Sequence, residues 1–520
     1  MTSSLIRGRP RHATAHIRVR VARAVVGAFV GAGWLMLPVM TVGERDPVPV
    51  GATGPVASAA AAEHDGSSVT DLFMPLVALG AAGALAGYGY LRRTRRARTR
   101  TTPGVVSAAP PVPTSLESER QARAALVLAD DCVRGSKEEL SFVEELFGNE
   151  AVEPFVHALR AAETELSAAF AIWRRYEEGV PGDETARRQA LVGVVGRCAE
   201  AGRRLDAEAA ALDRLRGLEQ GVDAALEVAE GRFRGLAART AAAQATAAEL
   251  HQRYAPSAGA PVTGYVEQAK DRLVFATSKL NESRQSADAG EGQRAARHLR
   301  AAEGGVAQAG VLIGEVERLA AQLQEAAGLV PAALTGGEAE IAEARKAGGR
   351  TSLATGELHA RLAHADGVLA AVRTELTGGP YDPLDALRRI ARAVERLEAG
   401  RPGVVEAAAR LVAHSAVAGA EDFVAVHRGA VGAQARARLA AAQRALGAGT
   451  GRCTDADTLA TEARDLAERD VRAHGNPYPD GHPLGLTGAV LGGILLTEDP
   501  DAGPPTSYGG PQTRGRRHLP

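Results

Sequence analysis

The sequence predicts an all-α protein in which membrane-anchored long helices form an elongated coiled-coil or helical bundle. Three observations predict this class. Aromatic residues make up only 4% of the 520 residues, too few for a large mixed α/β core. The 45% of hydrophobic residues are mostly Ala, Leu and Val at helical spacing. Two uncharged apolar stretches near the start are each long enough to cross a membrane.

The two apolar stretches are residues 24–42 and 72–91, of 19 and 20 residues without a charge. Arginines precede the first stretch and follow the second, whereas the loop 43–71 between them has only Arg45. Under the positive-inside rule, both arginine-rich flanks stay cytoplasmic and the loop faces outward. The first stretch can also be a signal peptide, because the Ala57-Ser58-Ala59 sequence resembles a cleavage site. Either alternative leaves residues 92–520 in the cytoplasm.

A basic cluster follows the second apolar stretch. We expect it to fix the topology, and we hypothesise that it also holds anionic lipid headgroups at about 1 kcal/mol per residue. Its members are Arg92, Arg93, Arg95, Arg96, Arg98 and Arg100.

The remaining chain is divided by its composition. After a basic N-terminus (1–23), the two apolar stretches and their loop, the sequence predicts three further regions. They are a basic and Pro-rich linker (92–113), an α-helical coiled-coil region (114–474) and a Gly/Pro-rich tail (475–520). The tail is predicted to be disordered. Pro256, Pro261, Pro331, Pro380 and Pro402 are expected to divide the coiled-coil region into separate helices.

The strongest periodicity runs from Leu205 to Tyr254, about seven heptads. It predicts one helix of about 75 Å whose apolar stripe packs against later helices of the same chain, or against a second copy. The predicted coiled-coil seam comprises Leu205, Leu212, Leu215, Val222, Leu226, Phe233, Leu236 and Leu250.

Charge and cysteine content exclude several classes of function. Residues 101–520 carry 48 basic and 57 acidic residues, so general nucleic-acid binding is not expected. Cys132, Cys198 and Cys453 form no CxxC pair and indicate neither a disulfide framework nor a zinc site. We identify no catalytic residue, no cofactor site and no metal site, and we expect a protein that is not an enzyme.

Short polar motifs are explained by helix chemistry. Asp382, between a Gly-Gly-Pro turn and Pro383, is expected to cap a helix. Ser136 with Glu139 has the spacing of a capping box. The acidic pairs Asp130-Asp131, Glu138-Glu139 and Glu144-Glu145 are expected to lie on solvated faces.

Four stretches, 259–288, 381–393, 413–446 and 466–478, resemble the C-terminal half of actinomycete TPM domain-containing membrane proteins. The resemblance covers roughly residues 72–520. It implies a layout of signal sequence, extracytoplasmic TPM domain, one membrane span and a cytoplasmic coiled coil. Here the short loop 43–71 stands where that domain would be, so the phosphatase activity attributed to some relatives is not implied.

These observations predict a membrane-anchored cytoplasmic scaffold or tether that acts by protein–protein interaction. Its partners are the membrane itself and proteins, with self-association included, bound through helical stripes. The alternatives are a membrane stress or signal regulator that relays through the membrane helices, and an extracytoplasmic envelope protein.

Overall fold

The structure is a computed structural model that describes residues 115–347, 355–397, 403–474 and 505–517. These residues are helical, with no β-strand among them, which confirms the all-α class. The predicted membrane segments, their loop and both basic flanks lie outside the described residues, as do residues 475–504 of the tail. Within the ranges that are described, no helix is both long and apolar enough to cross a membrane.

The described residues form two short 3-10 turns and thirteen α-helices. In chain order they are α1 (Ser115–Phe147), α2 (Asn149–Glu177), α3 (Glu184–Arg216), α4 (Asp223–Arg253), α5 (Pro256–Gly259), α6 (Tyr265–Asp288), α7 (Gly292–Ala347), α8 (Thr355–Gly378), α9 (Pro383–Glu395), α10 (Val404–Val426), α11 (Ala433–Gly447), α12 (Cys453–Ala473) and α13 (Pro511–Arg517).

The helices pack around two large apolar cores, one smaller core and a minor cluster between α10, α11 and the start of α12. The first core joins α1, α2 and α3 with part of α11, and Trp173 is fully buried in it. The second core joins α4, α6, α7, α8 and α9. The smaller core lies among α10, α11 and α12 and is built largely of alanine. Alanine-rich faces let these helices approach closely, which suits a chain with few aromatic residues.

Helix α7 runs through the second core. Its 56 residues make it about 84 Å long, and its buried side chains extend from Ala295 to Ala344. The predicted helix break at Pro331 is wrong, because this proline lies inside α7. Val330 and Ala333, on either side, are fully buried in the second core. Packing on both sides therefore outweighs the hydrogen bond that a proline removes from a helix.

The predicted continuous helix from Leu205 to Tyr254 is also wrong. Gly217 adopts a left-handed conformation (φ 54°, ψ 26°) and its N–H donates to the Asp213 carbonyl oxygen, which ends α3. Helix α4 then begins at Asp223. Leu205 and Leu212 consequently lie in the first core, whereas Val222 and Leu226 lie in the second.

The acidic pairs of α1 differ from the prediction. Asp130 and Glu139 are buried, with exposed fractions of 5% and 0%. Asp130 accepts a hydrogen bond from Arg436 at 2.6 Å, and Glu138 accepts one from Arg428 at 2.7 Å. One face of α1 is packed against the rest of the bundle, so Asp130 and Glu138 meet arginines from distant parts of the chain. Of the three pairs, only Glu144-Glu145 is exposed as the sequence predicts.

The two predicted capping motifs have opposite outcomes. Asp382 caps α9, since its carboxylate accepts a hydrogen bond from the Asp385 N–H at 3.0 Å. Pro383 occupies the first turn of that helix, so this prediction is confirmed. The prediction of a capping box at Ser136 and Glu139 is wrong, because both residues lie in the interior of α1 and not at its start. Their side chains bind the C-terminal part of the chain instead.

Candidate functional site

The C-terminal segment, residues 505–517, lies in a groove between helices of the first core and α7. The prediction of a disordered tail is wrong for these residues, and Thr506, Ser507 and Tyr508 are buried. We define the groove by the residues that contact the segment: Cys132, Gly135, Ser136, Glu139, Phe155, Gly202, Asp206, Asp213, Arg300 and Glu303.

Tyr508 is the apolar anchor of the C-terminal segment. Its side chain is fully buried, and its ring packs edge to face on Phe155 with ring centroids 6.0 Å apart. The hydroxyl donates a hydrogen bond to the Phe155 carbonyl oxygen at 3.1 Å. The backbone N–H donates to the Glu139 carboxylate. Burial raises the pKa of Tyr508, and the negative charges of Glu208 and Glu139 raise it further, so the phenol stays protonated as a donor.

The two glycines after Tyr508 bring the segment's backbone against α1 and α3. Gly509 has a φ of 131°, which only glycine adopts without strain, and its N–H donates to Ser136 Oγ at 3.1 Å. A Cβ atom on Gly510 would lie 2.2 Å from the carbonyl oxygen of Gly202. A side chain at either position would therefore prevent this approach.

Asp206 of α3 binds the start of α13. Its carboxylate accepts hydrogen bonds from the backbone N–H of Gln512 at 3.3 Å and of Thr513 at 3.0 Å. It also accepts one from the Thr513 hydroxyl at 2.6 Å. One half-buried carboxylate thus satisfies three donors of the segment, two of which would otherwise lack a partner within a short helix.

Arginines hold the distal end of the segment. Arg517 donates to Asp213 at 2.5 Å, and within the segment it donates to the Ser507 hydroxyl at 2.6 Å. Arg514 donates to the Ser507 carbonyl oxygen at 2.9 Å. Arg517 therefore ties the segment to α3, and both arginines fold the segment back on itself.

A buried ion network lies beneath the segment. Arg216 bridges Glu139 and Glu303, with both N–O distances at 2.6 Å, and both carboxylates are fully buried. Thr506 adds a hydroxyl hydrogen bond to Glu303 at 2.9 Å. Burial alone would raise the pKa of Glu139, but Arg300, Arg216 and Arg517 together hold it well below its usual range. Glu139 is therefore ionised, and one of its three cationic neighbours belongs to the C-terminal segment.

Charge is complementary across the groove. The groove contains four carboxylates, from Glu139, Asp206, Asp213 and Glu303, and one guanidinium group, from Arg300. Arg216 belongs to the ion network beneath the segment. The segment contributes Arg514, Arg516 and Arg517 and no acidic residue. A cationic peptide with one buried aromatic ring, followed by a short helix, is the kind of ligand that this site binds.

The residues singled out from the sequence lie elsewhere or serve the core. All eight seam residues are in the described part: six are buried, and Leu215 and Phe233 are half-buried against the cores. The stripe is therefore used inside the bundle and is not free for a partner. The basic cluster at 92–100 lies outside the described residues.

The groove and its ligand are not among the features predicted from the sequence. The tail is rich in Gly and Pro, so its composition gave no weight to Tyr508 and to the three arginines Arg514, Arg516 and Arg517. Those four side chains were the available signal. Their partners could not be found from the sequence, because Glu139, Asp206 and Glu303 resemble the acidic residues on any helix surface.

Two buried cysteines lie in the first core, next to the groove. The nearest thiol is that of Cys132, whose pKa is raised to about 11 by burial. Cys198, in the same core, has a pKa raised to about 12 by burial. Both thiols therefore stay protonated near neutral pH. Among the described residues, no group of His, Cys, Asp and Glu side chains is arranged to hold a metal ion.

Comparison with curated proteins finds two similar chains from one species. They are UPF0603 protein MT2410 of Mycobacterium tuberculosis (strain CDC 1551 / Oshkosh) and UPF0603 protein Rv2345 of Mycobacterium tuberculosis (strain ATCC 25618 / H37Rv). Each is 29% identical over 424 residues, covering 75% of this chain and 64% of the relative. This chain thus spans less than two thirds of the length of these curated relatives. No protein-family model matches the chain, and no solved structure matches it.

Proposed function

We propose that this protein is a membrane-anchored scaffold that acts by protein–protein interaction, with the helical bundle on the cytoplasmic side. The observation that carries the proposal is the groove, in which a helical bundle binds a peptide segment through a buried tyrosine and a set of ionic and backbone hydrogen bonds. Membrane attachment is supported by the sequence alone, through residues 24–42 and 72–91 and their arginine flanks. The resemblance to TPM domain-containing proteins supports the same layout.

The groove changes the expected mode of interaction. The apolar stripe from Leu205 to Leu250 is buried within the bundle, so helix pairing through that stripe is not the mechanism. The large apolar side chains that are exposed in the described part, such as Val192 and Val274, are scattered along different helices and do not suggest a second binding face. Peptide binding in a polar groove remains the mode that these contacts support.

The orientation of the chain is testable with cysteine labelling. All three natural cysteines are buried, so they react slowly and give a low background. We would introduce Ser67→Cys in the predicted outer loop and Val192→Cys at a side chain that is 71% exposed on α3. A membrane-impermeant maleimide should label Ser67→Cys in intact spheroplasts, and Val192→Cys only after the membrane is opened.

The opposite labelling pattern would contradict the proposal and would favour a cell-envelope role. Labelling of Val192→Cys in soluble extract, with none in the membrane fraction, would also contradict it. Sequencing the N-terminus of the same material shows whether residues 1–59 are removed. The scaffold role itself would be wrong if cross-linked membranes contained the chain only as a monomer without a bound protein.

A further inference from the structure

The contacts of the C-terminal segment are those of a peptide ligand. The described contacts between residues 505–517 and the bundle come from α1, α2, α3 and α7, and they include a buried aromatic anchor, backbone hydrogen bonds and a carboxylate–arginine pair. Complexes of domains with extended peptides use these same three kinds of contact. The segment is thus a recognisable unit, separate from the helices that bind it.

The groove is selective for a particular peptide chemistry. It requires a tyrosine whose hydroxyl reaches a carbonyl oxygen, followed by two residues without side chains. It then requires a proline ring against Gly202 and, further on, a threonine at Asp206 and an arginine at Asp213. The sequence Tyr508-Gly509-Gly510-Pro511 meets the first part of this requirement and Thr513 with Arg517 meets the second.

The number of residues between α12 and the segment is large enough for the segment to reach a groove in its own chain or in a neighbouring copy. The 30 residues 475–504 join His474 to the segment. Any chain of that length spans at most about 100 Å. A groove on a neighbouring copy within that distance presents identical contacts. Which copy is bound then depends on the local concentration of grooves, not on the chemistry of the contact.

We infer that the groove binds the C-terminal segment of a second copy of this chain, so that neighbouring copies in one membrane are linked segment to groove. Reciprocal exchange between two copies closes a symmetric dimer, because each copy supplies one segment and one groove. This inference rests on the proposed membrane anchoring only for the crowding of copies. The binding specificity itself rests on the groove.

The test uses two full-length variants that each lack one half of the contact. The groove-blocked variant, Gly202→Ala, places a methyl group 2.7 Å from Pro511 Cδ but keeps an intact segment. The segment-disrupted variant, Tyr508→Ala with Arg517→Ala, keeps an intact groove. The matched control is Gly196→Ala, at a glycine of the same helix where an added Cβ atom would have nothing within 4 Å.

The two variants, carrying different tags, are reconstituted together in vesicles of phosphatidylethanolamine and phosphatidylglycerol and cross-linked. The mixed pair should give at least tenfold more cross-linked dimer than either variant alone, since only the mixed pair holds one working segment and one working groove. Gly196→Ala alone should give as much dimer as the wild type, because both halves of its contact are intact. A mixed pair no better than the single variants would overturn the inference, because the segment would then dock only in its own chain.

A second measurement needs no membrane and therefore separates this inference from the proposed anchoring. A fluorescent peptide of residues 503–520 is titrated onto the segment-disrupted variant in detergent and followed by anisotropy. Saturable binding is expected, weakened at least tenfold when the peptide carries Tyr508→Ala. Circular dichroism confirms that the variant is folded. Absence of binding to the folded variant would overturn the inference even if the cysteine labelling confirmed the predicted topology.

Discussion

Gly202 lies directly against the ring of Pro511, so close that a methyl group on Gly202 would lie 2.7 Å from Pro511 Cδ. The added methyl group would be fixed to a helix backbone, and Pro511 Cδ belongs to a rigid ring, so neither group could move aside independently. The absence of a side chain at position 202 is therefore a condition for docking of the C-terminal segment. Within α3 itself, alanine would be the better residue.

The first prediction follows from this contact. Gly202→Ala should release the C-terminal segment and make cleavage by trypsin after Arg514 and Arg517 at least tenfold faster. Gly196→Ala should leave cleavage unchanged and raise the free energy of unfolding by up to about 1 kcal/mol, because it removes backbone entropy without a clash. The time course of proteolysis, read by mass spectrometry, checks both. Equal cleavage of the two variants would contradict the contact.

A second prediction uses Cys132 as a reporter of the segment. Arg514 donates to the Cys132 carbonyl oxygen at 3.4 Å, and burial raises the pKa of this thiol to about 11. Release of the segment by Tyr508→Ala should speed the modification of Cys132 by a maleimide severalfold at neutral pH. Cys198, whose pKa burial raises to about 12, is the internal control on the neighbouring helix and should stay slow. Unchanged labelling of Cys132 would show that the segment does not cover it.

The third prediction concerns Glu139 and the stability of the fold at acidic pH. The folded-state pKa of Glu139 is held below its usual value, so its contribution to stability is present above pH 4.5 and is lost as the pH falls below that value. Glu139→Gln should lower the free energy of unfolding at pH 7 by about 3 to 5 kcal/mol, because it breaks a buried ion network. Between pH 6 and pH 3 the variant should lose less stability than the wild type. Urea unfolding at several pH values measures both effects.

The fourth prediction concerns Glu315 of α7, for which we expect the opposite dependence of stability on pH. Burial raises its pKa to about 8, although Arg464 nearby works in the other direction. The folded state therefore holds a proton that the unfolded chain releases above pH 4.5, and stability falls as the pH rises from 4.5 towards 8. Glu315→Gln should be more stable than the wild type at pH 9 and nearly equal to it at pH 5. Thermal unfolding across this range would contradict the prediction if the difference did not grow with pH.

The helix cap at Asp382 gives the fifth prediction. Its carboxylate accepts the Asp385 N–H, and it also accepts a hydrogen bond from the Ser257 hydroxyl at 3.1 Å. Asp382→Ala should lower the free energy of unfolding by about 1 kcal/mol. Asp455→Ala, in the first turn of α12 but not at its cap, should cost clearly less. Chemical denaturation of the two variants compares them directly.

Local features of the chain were predictable from the sequence. The all-α class followed from few aromatic residues and helical spacing, and the cap at Asp382 followed from a turn, a proline and a carboxylate within five residues. Burial of the seam residues was also predictable, because apolar periodicity reports which face is hidden. Each of these depends on interactions between residues that are close in the sequence.

Long-range packing overruled other local signals. Pro331 stays helical because α7 is held on both sides by the second core, and Gly217 interrupts seven heptads because its left-handed conformation turns the chain between the two cores. The spacing of apolar residues predicts neither of these results. By local sequence alone, a helix could end at Pro331 and another could continue through Gly217.

The sequence by itself determined the helical class, the apolar faces and one cap, because these depend on propensity and periodicity along the chain. Only the tertiary structure decided that the C-terminal segment is a bound peptide. Tyr508, the anchor of the segment, and Glu139, which accepts its N–H, are ordinary residues in their own stretches of sequence. The hydrogen bond between them stabilises the fold only because the groove buries both residues away from water.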